Sequence, residues 1–310
     1  MGNLVKSLGI IGVSEGNGHP FSYCSIINGF SAEGLAASGW PGIYDYVRRR
    51  HASEFGVGDW KVTHAWTQDP EVTSKLCAAC LIPNHVENYR DFLGNVDAVI
   101  VARDDFELHM RFALPFLEAR MPVFVDKPLS ADMGELRQLK PYLESGRLMS
   151  CSGMRYAREL DEPRANLALY GQLKLIRGAI VLSWEKYGVH LLDAIFGMIA
   201  ARPVSVLMSF SGNSTARISL DDGVTIQIDT LGATAPAFRL ELFGTQRNGT
   251  FEIMDNFSMF RRMLWEFLNS IDTASPAVPV NKTLDVMRVL IAGRISRSEK
   301  REVRIDELEI

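Results

Sequence analysis

Residues 97–130 read DAVIVARDDFELHMRFALPFLEARMPVFVDKPLS. An unbroken apolar run at 98–102 is followed by Arg103-Asp104-Asp105, a helical repeat of apolar residues over 108–120, and a second expected strand at 123–126, apolar up to Asp126. Strands that are apolar on both faces are covered on both faces, and two of them joined by a helix make the unit of a parallel sheet. Each run ends in residues that carry chemistry: Arg103, Asp104 and Asp105 with His109 a turn further on, then Asp126-Lys127-Pro128. Ligands of open parallel sheets bind beyond the carboxyl ends of the strands, so both clusters belong to one site.

Working outward, strands expected at 7–13, 61–66 and 148–153 bring the strands of this half to five. A helix is expected over 131–145, with Ser130 as its N-cap. The link from the first to the second strand is long and contains Gly34, Gly39, Pro41 and Gly42, so it should hold more than one helix. The second half changes character. Strands are expected at 173–183, 204–210, 216–220, 225–231, 237–243 and 249–253, with Asp221-Asp222-Gly223 as a hairpin turn, in an antiparallel sheet. Two helices follow, 257–272 and 283–298. A division into domains 1–154 and 155–310 suits a chain of 310 residues, 47% of them hydrophobic and 23% charged, which is more than one core usually serves.

A net charge of −4 argues against a sequence-independent grip on nucleic acid, and Arg48-Arg49-Arg50 reads as a solvated helix end. No apolar stretch reaches the eighteen or so residues of a membrane span, and no export signal precedes the first strand. Four cysteines in this length suggest a reduced, cytoplasmic setting. Cys77-Ala78-Ala79-Cys80 has metal-knuckle spacing but no second pair, and reads as a helix showing small residues to the core.

Residues 97–130 resemble the stretch ending in the Glu-Lys-Pro motif of the Gfo/Idh/MocA oxidoreductases, with Asp126 in place of the glutamate. Gly188-Val189-His190-Leu191-Leu192-Asp193 resembles that family's Gly-x-His-x-x-Asp helix start, and residues 260–308 resemble its closing helices and final strand. The resemblance implies an α/β chain: an N-terminal Rossmann-like, doubly wound parallel sheet that binds NAD or NADP, and a C-terminal α+β domain with an open, mainly antiparallel sheet that binds substrate. It implies hydride transfer at a secondary alcohol of a sugar or cyclitol. Lys127 would lie between nicotinamide and substrate, and His190 would be the general base.

That chemistry needs a base with a pKa near neutrality for the hydroxyl proton, and a cation to stabilise charge developing on the oxygen. Asp193, one turn beyond His190, is placed to orient the imidazole; Arg155 and Tyr156 are candidates for substrate contact. Of the residues at the family's nicotinamide pocket, Asp104 is the one expected to face the ligand, with Arg103 pairing either Asp104 or Asp105; His109, Asp126 and Pro128 complete that wall. No metal site is expected.

The glycine-rich turn departs from the family pattern. Aligning Gly12 with the first glycine of Gly-x-Gly-x-x-Gly puts Ser14 and Asn17 at the other two positions; aligning Gly16 and Gly18 puts Phe21 at the third. Glu15 would repel a pyrophosphate unless it points away. The second strand ends in Trp66-Thr67 with neither an acid for ribose hydroxyls nor an arginine for a 2′-phosphate, which leaves NAD and NADP open. Lys186 stands where many members carry an aspartate. A cation there suits an acidic substrate such as a uronate, or marks a protein that binds a ligand without catalysis; a lyase or hydrolase using bound NAD as a transient oxidant is a third reading. A homodimer or homotetramer through the C-terminal sheet is expected, because 204–210 and 225–231 alternate apolar residues that a monomer would expose.

Overall fold

The computed structural model describes residues 5–209 and 214–309, so Phe210, the end of one expected strand, lies outside the described residues. The chain divides into two compact units, each discontinuous in sequence: Met1–Leu129 with Leu139–Ser150 and Asn256–Val278, and Ser130–Gln138 with Cys151–Asp255 and Pro279–Ile310.

The first unit holds a six-stranded sheet of β1 (Lys6–Ile11), β2 (Trp60–Trp66), β3 (Asn84–His85), β4 (Ala98–Val101), β5 (Val123–Val125) and β6 (Leu148–Met149). The order is β3-β2-β1-β4-β5-β6, and every pair is parallel. All of β4 and β5 is buried, as unbroken apolar runs require. The link from β1 to β2 carries three helices, α1 (His19–Asn28), α2 (Ala32–Ala36) and α3 (Pro41–Val47), while α4 (Pro70–Cys80), α5 (His109–Glu118) and α6 (Met133–Glu144) lie between the later strands. A distant helix, Asn256–Thr273, also packs here: Phe267 lies 5.7 Å from Phe124 between ring centroids.

Three local expectations are corrected. β3 was not expected, since its two residues are exposed and carry no apolar signal. β6 stops at Met149 because the chain leaves the sheet and Ser152 caps a 3-10 turn, Gly153–Tyr156, by accepting the Met154 N–H at 3.1 Å. At the start of α6 it is Asp132 that accepts the Glu135 N–H (2.8 Å); Ser130 accepts from Asp132 N and donates to the Glu135 carboxylate instead.

The second unit is built on a seven-stranded sheet: β7 (Leu173–Ile180), β8 (Pro203–Met208), β9 (Ser214–Leu220), β10 (Thr225–Thr230), β11 (Phe238–Gly244), β12 (Asn248–Glu252) and β13 (Val303–Arg304). The order is β12-β11-β7-β10-β9-β8-β13, antiparallel throughout except for the parallel pair β7 and β10. Gly223 closes the expected β9–β10 hairpin at φ +84°, a conformation that costs other residues strain. Its helices are α7 (Asp161–Ala165), α8 (Val189–Phe196) and α10 (Val280–Glu299), with α9 being Asn256–Thr273 of the first unit. Every residue of α8 is buried, and Trp184 just before it donates to the Leu290 carbonyl of α10 at 3.1 Å.

The sheet's outer face differs from the expectation of an exposed apolar surface. On β10, Ile226 and Ile228 are fully buried while Thr225, Gln227 and Asp229 face outward, and Arg177 of β7 pairs with Asp229 at 3.1 Å. Period-two alternation marks a strand with two unlike faces, and the apolar one is already covered within the unit. Elsewhere in the sheet Val204 and Leu207 of β8 and Leu173 and Leu175 of β7 are half-exposed, and Phe243 of β11 is exposed.

Candidate active site

In the first unit the turn after β1 is tight. Gly12 N–H donates to the Trp66 carbonyl at 3.0 Å, and a Cβ at Gly12 would lie 2.4 Å from Pro20 Cγ, so only glycine lets the strand end meet the start of α1. Residues 14–17 form a β-turn closed by Asn17 N–H to the Ser14 carbonyl (3.1 Å), with Gly16 at φ +74°. Glu15 and Gly16 are exposed at its tip, so the Glu15 charge is solvated. The Ser14 hydroxyl donates to Asp104 Oδ1 at 2.6 Å and accepts the Asp104 N–H at 3.0 Å. Gly18, the N-cap of α1, is walled by Trp40 and Ile43.

Asp126, just past β5, is completely buried. Its carboxylate receives the Lys127 N–H (2.9 Å), the Asn17 amide (3.3 Å), the Tyr23 hydroxyl (3.5 Å) and the His19 Nδ1. Burial works against its charge, but His19 and Lys127 outweigh burial and hold the carboxyl well below the usual range. Lys127 is itself buried, and the Lys127–Pro128 peptide is cis. His109 ties the two strand ends together, with Nε2 at the Arg103 carbonyl (2.8 Å) and Nδ1 at the Leu129 carbonyl (3.2 Å). Of the two alternatives for Arg103 the structure takes Asp105, at 2.9 Å. The same guanidinium reaches Gln68 Oε1 at 2.8 Å and lies over the Phe112 ring.

At the end of β2, Trp66 donates to the Glu87 carbonyl at 3.1 Å and packs on Tyr89 and Phe112. Thr67 is turned into the start of α4, donating to the Asp69 carbonyl at 2.6 Å. Gln68 bridges this strand end to Val13 as well as to Arg103, a role with no signal in the sequence.

The second unit gathers another buried group. His190 on α8 has its Nδ1 2.6 Å from Ser152 Oγ, and Ser152 N–H donates to Asp193 Oδ2 at 2.7 Å. Arg155 contacts the other Asp193 oxygen at 3.3 Å, and half-buried Tyr156 follows it in the same 3-10 turn. The expected orienting role of Asp193 therefore runs through Ser152: the carboxylate holds the serine backbone, and the serine hydroxyl holds the imidazole. Burial pushes the Asp193 carboxyl up to about 6, because one contact with Arg155 does not offset complete desolvation.

Lys186 occupies a π-helical turn, Trp184–Gly188, which shifts it out of the regular α-helical register with His190. It is exposed and lines an open cavity of about 520 Å³ with Ser183, Thr230 and Gly232; no carboxylate lines this cavity among the described residues. Its neighbour Glu185 pairs with Arg297 at 2.8 Å. Burial pushes the Cys77 and Cys80 thiols up to about 11 and about 12, so they stay protonated; Cys80 and Ala79 face the core, while Cys77 is half-buried and Ala78 exposed, against the expectation that both alanines face inward.

Sequence reasoning missed His19, Tyr23, Gln68 and Ser152. The signal for His19 was Gly18-His19-Pro20 itself, a polar residue at a helix start that a search for glycines passes over. Ser152 sat inside an expected strand, where no cap is sought.

The six-strand order β3-β2-β1-β4-β5-β6, with charged residues gathered beyond β4 and β5, defines the first unit as a Rossmann-type dinucleotide-binding fold. Residues 43–151 match the model of the Gfo/Idh/MocA oxidoreductase family, described as having an NAD-binding Rossmann fold. The chain carries the fold of the Gfo/Idh/MocA oxidoreductases, as the resemblance implied.

Solved structures agree along almost the whole length. A scyllo-inositol dehydrogenase from Lactobacillus casei with bound NAD(H) and scyllo-inositol is 13% identical with a TM-score of 0.74, covering 98% of this chain and 100% of that one. A myo-inositol 2-dehydrogenase from Lactobacillus plantarum is 15% identical with a TM-score of 0.74, covering 96% and 99%. A probable dehydrogenase from Thermotoga maritima is 13% identical with a TM-score of 0.76, covering 98% and 100%. At such identities the likeness establishes the fold. No curated protein matches by sequence. Among the described residues no helix is long and apolar enough to cross a membrane, and no group of three or more His, Cys, Asp or Glu is placed to hold a metal.

Proposed function

We propose that the chain is a nicotinamide-dependent oxidoreductase acting on a secondary alcohol of a sugar or sugar derivative. The match to an NAD-binding oxidoreductase family, over a sheet whose strand end carries buried Lys127, supports this reading most. The close approach of β1 to α1 at Gly12 suits a dinucleotide, and NAD or NADP would supply the hydride acceptor. Ser14, Gly16, Asn17 and Gly18 would shape the phosphate side; Asp104, Asp126 and Pro128 would wall the nicotinamide side, with Trp66, Thr67, Arg103 and His109 setting its frame.

In this reading His190 takes the hydroxyl proton, held in orientation by Ser152, and the Lys127 ammonium supplies positive charge suited to negative charge developing on a substrate oxygen. Asp193 and Arg155 brace that histidine, and Tyr156 extends the substrate surface. Lys186, at the mouth of a cavity lined by hydroxyls, favours a substrate bearing a carboxylate. Half-exposed Val204 and Leu207 leave the outer sheet face as the surface for a homodimer or homotetramer, and four free cysteines suit a cytoplasmic setting.

The test is titration with NADH and NADPH while following tryptophan emission, Trp66 being the reporter beside the site. Binding of neither overturns the proposal. The rival is a ligand-binding protein without turnover, favoured by Lys186 in place of the usual aspartate. Screening polyols and sugar acids with wild type and His190→Ala separates them, since an oxidoreductase loses turnover in the variant while retaining cofactor.

A further inference from the structure

Several donors around the turn after β1 are already committed. The His19 N–H is taken by Asn17 Oδ1 at 2.8 Å, Pro20 has no N–H, and the Asn17 N–H is spent on the Ser14 carbonyl. The Ser14 hydroxyl is committed to Asp104. The start of α1 is therefore a poor anion cradle by its backbone alone.

One side chain stands in for them. His19, the first residue of α1, is held at Nδ1 by the buried Asp126 carboxylate and stacks on Tyr23 at 5.1 Å, with Phe260 edge-on at 5.2 Å. Its side chain is one-fifth exposed, and Nε2 has no partner among the described residues. Asp126, Tyr23 and Phe260 fix the ring on three sides, so Nε2 is both pre-positioned and available.

We infer that His19 is the anion-binding residue of this site, donating Nε2–H to a cofactor phosphate in place of the glycine-rich turn. This rests on the dinucleotide reading above. An anion at Nε2 and the Asp126 carboxylate at Nδ1 each call for an N–H, so the ligand binds the ring carrying both protons. Asp126, at the position of the family motif's glutamate, thereby positions the phosphate-binding imidazole.

The test compares wild type with His19→Asn, which retains an amide N–H for Asp126 but has nothing at Nε2, using calorimetry with NADH, ADP and adenosine. The expected result is about tenfold weaker binding of NADH and ADP, the loss of one charge-assisted hydrogen bond, with adenosine affinity nearly unchanged. Unchanged NADH and ADP affinities overturn the inference. So does a loss confined to NADH, which would put the ring beside the nicotinamide half, or an equal loss for adenosine, which would make the effect structural. If the wild type binds neither NADH nor NADPH, the oxidoreductase reading fails separately; His19-dependent binding of inorganic pyrophosphate then decides this one, its absence overturning it.

Discussion

Asp126 in the first unit and Asp193 in the second are both completely buried aspartates next to the two candidate catalytic residues, yet their carboxyls shift in opposite directions. Asp126 has a histidine and a lysine for neighbours and accepts four hydrogen bonds, so its charge survives burial. Asp193 has one guanidinium contact at 3.3 Å and one backbone N–H, and burial prevails. Burial alone does not decide the ionisation of a carboxylate; the number and charge of the groups that reach it do.

The opposite signs give opposite pH dependences. Asp126, with a lowered folded pKa, contributes stability that is present above the unfolded value of about 3.9 and lost as pH falls through the folded one. Asp193, raised to about 6, contributes stability that is present below about 3.9 and lost as pH rises through about 6.

The largest effect expected in testing this contrast is on turnover. His190→Ala, which leaves the Ser152 and Asp193 pair without its imidazole, should lower kcat by about 10²–10⁴-fold with cofactor affinity retained. Steady-state rates on any substrate found in the screen check this. Asp126→Asn removes the charge opposite His19 and Lys127 and should cost about 3 kcal/mol at neutral pH, shrinking in acid. Urea unfolding at several pH values measures it, and a cost that did not shrink would break the assignment of a native charge.

Ser152→Ala should lower kcat about tenfold and shift its pH profile while leaving KM nearly unchanged, the mark of a residue that acts through His190. The smallest effect is expected for Asp193→Asn. Its stability relative to wild type should rise as pH increases from about 4 to about 6, because the variant has no buried carboxyl to ionise, then level at a gain that the lost Arg155 pairing limits to about 1 kcal/mol. A flat difference across that range would show that Asp193 is ionised in the native state.

Residues 97–130 made the first sheet legible, because unbroken apolar runs joined by helices have few other ways to bury both faces. The two-residue strand Asn84–His85 could not be read, since pairing with β2 rather than its own composition makes it a strand. The strand-end pattern singled out Lys127 and Asp126, and the family resemblance His190 and Asp193, but neither pointed to the residues that hold them. Asp126 and His19 are 107 positions apart, and Ser152 and His190 are 38 apart. Nothing in local periodicity records such pairs.

By itself, then, the sequence determined the classes of the two sheets, the strand ends that bear chemistry and the family resemblance, all of which follow from local pattern and short spacing. Tertiary structure alone decided that Arg103 would take Asp105, that Ser152 rather than Asp193 would hold the imidazole, and that His19 would stand on the buried Asp126. Those outcomes depend on which side chains converge in space and how much water they exclude, and a hydrogen bond or a pKa shift exists only once both are fixed.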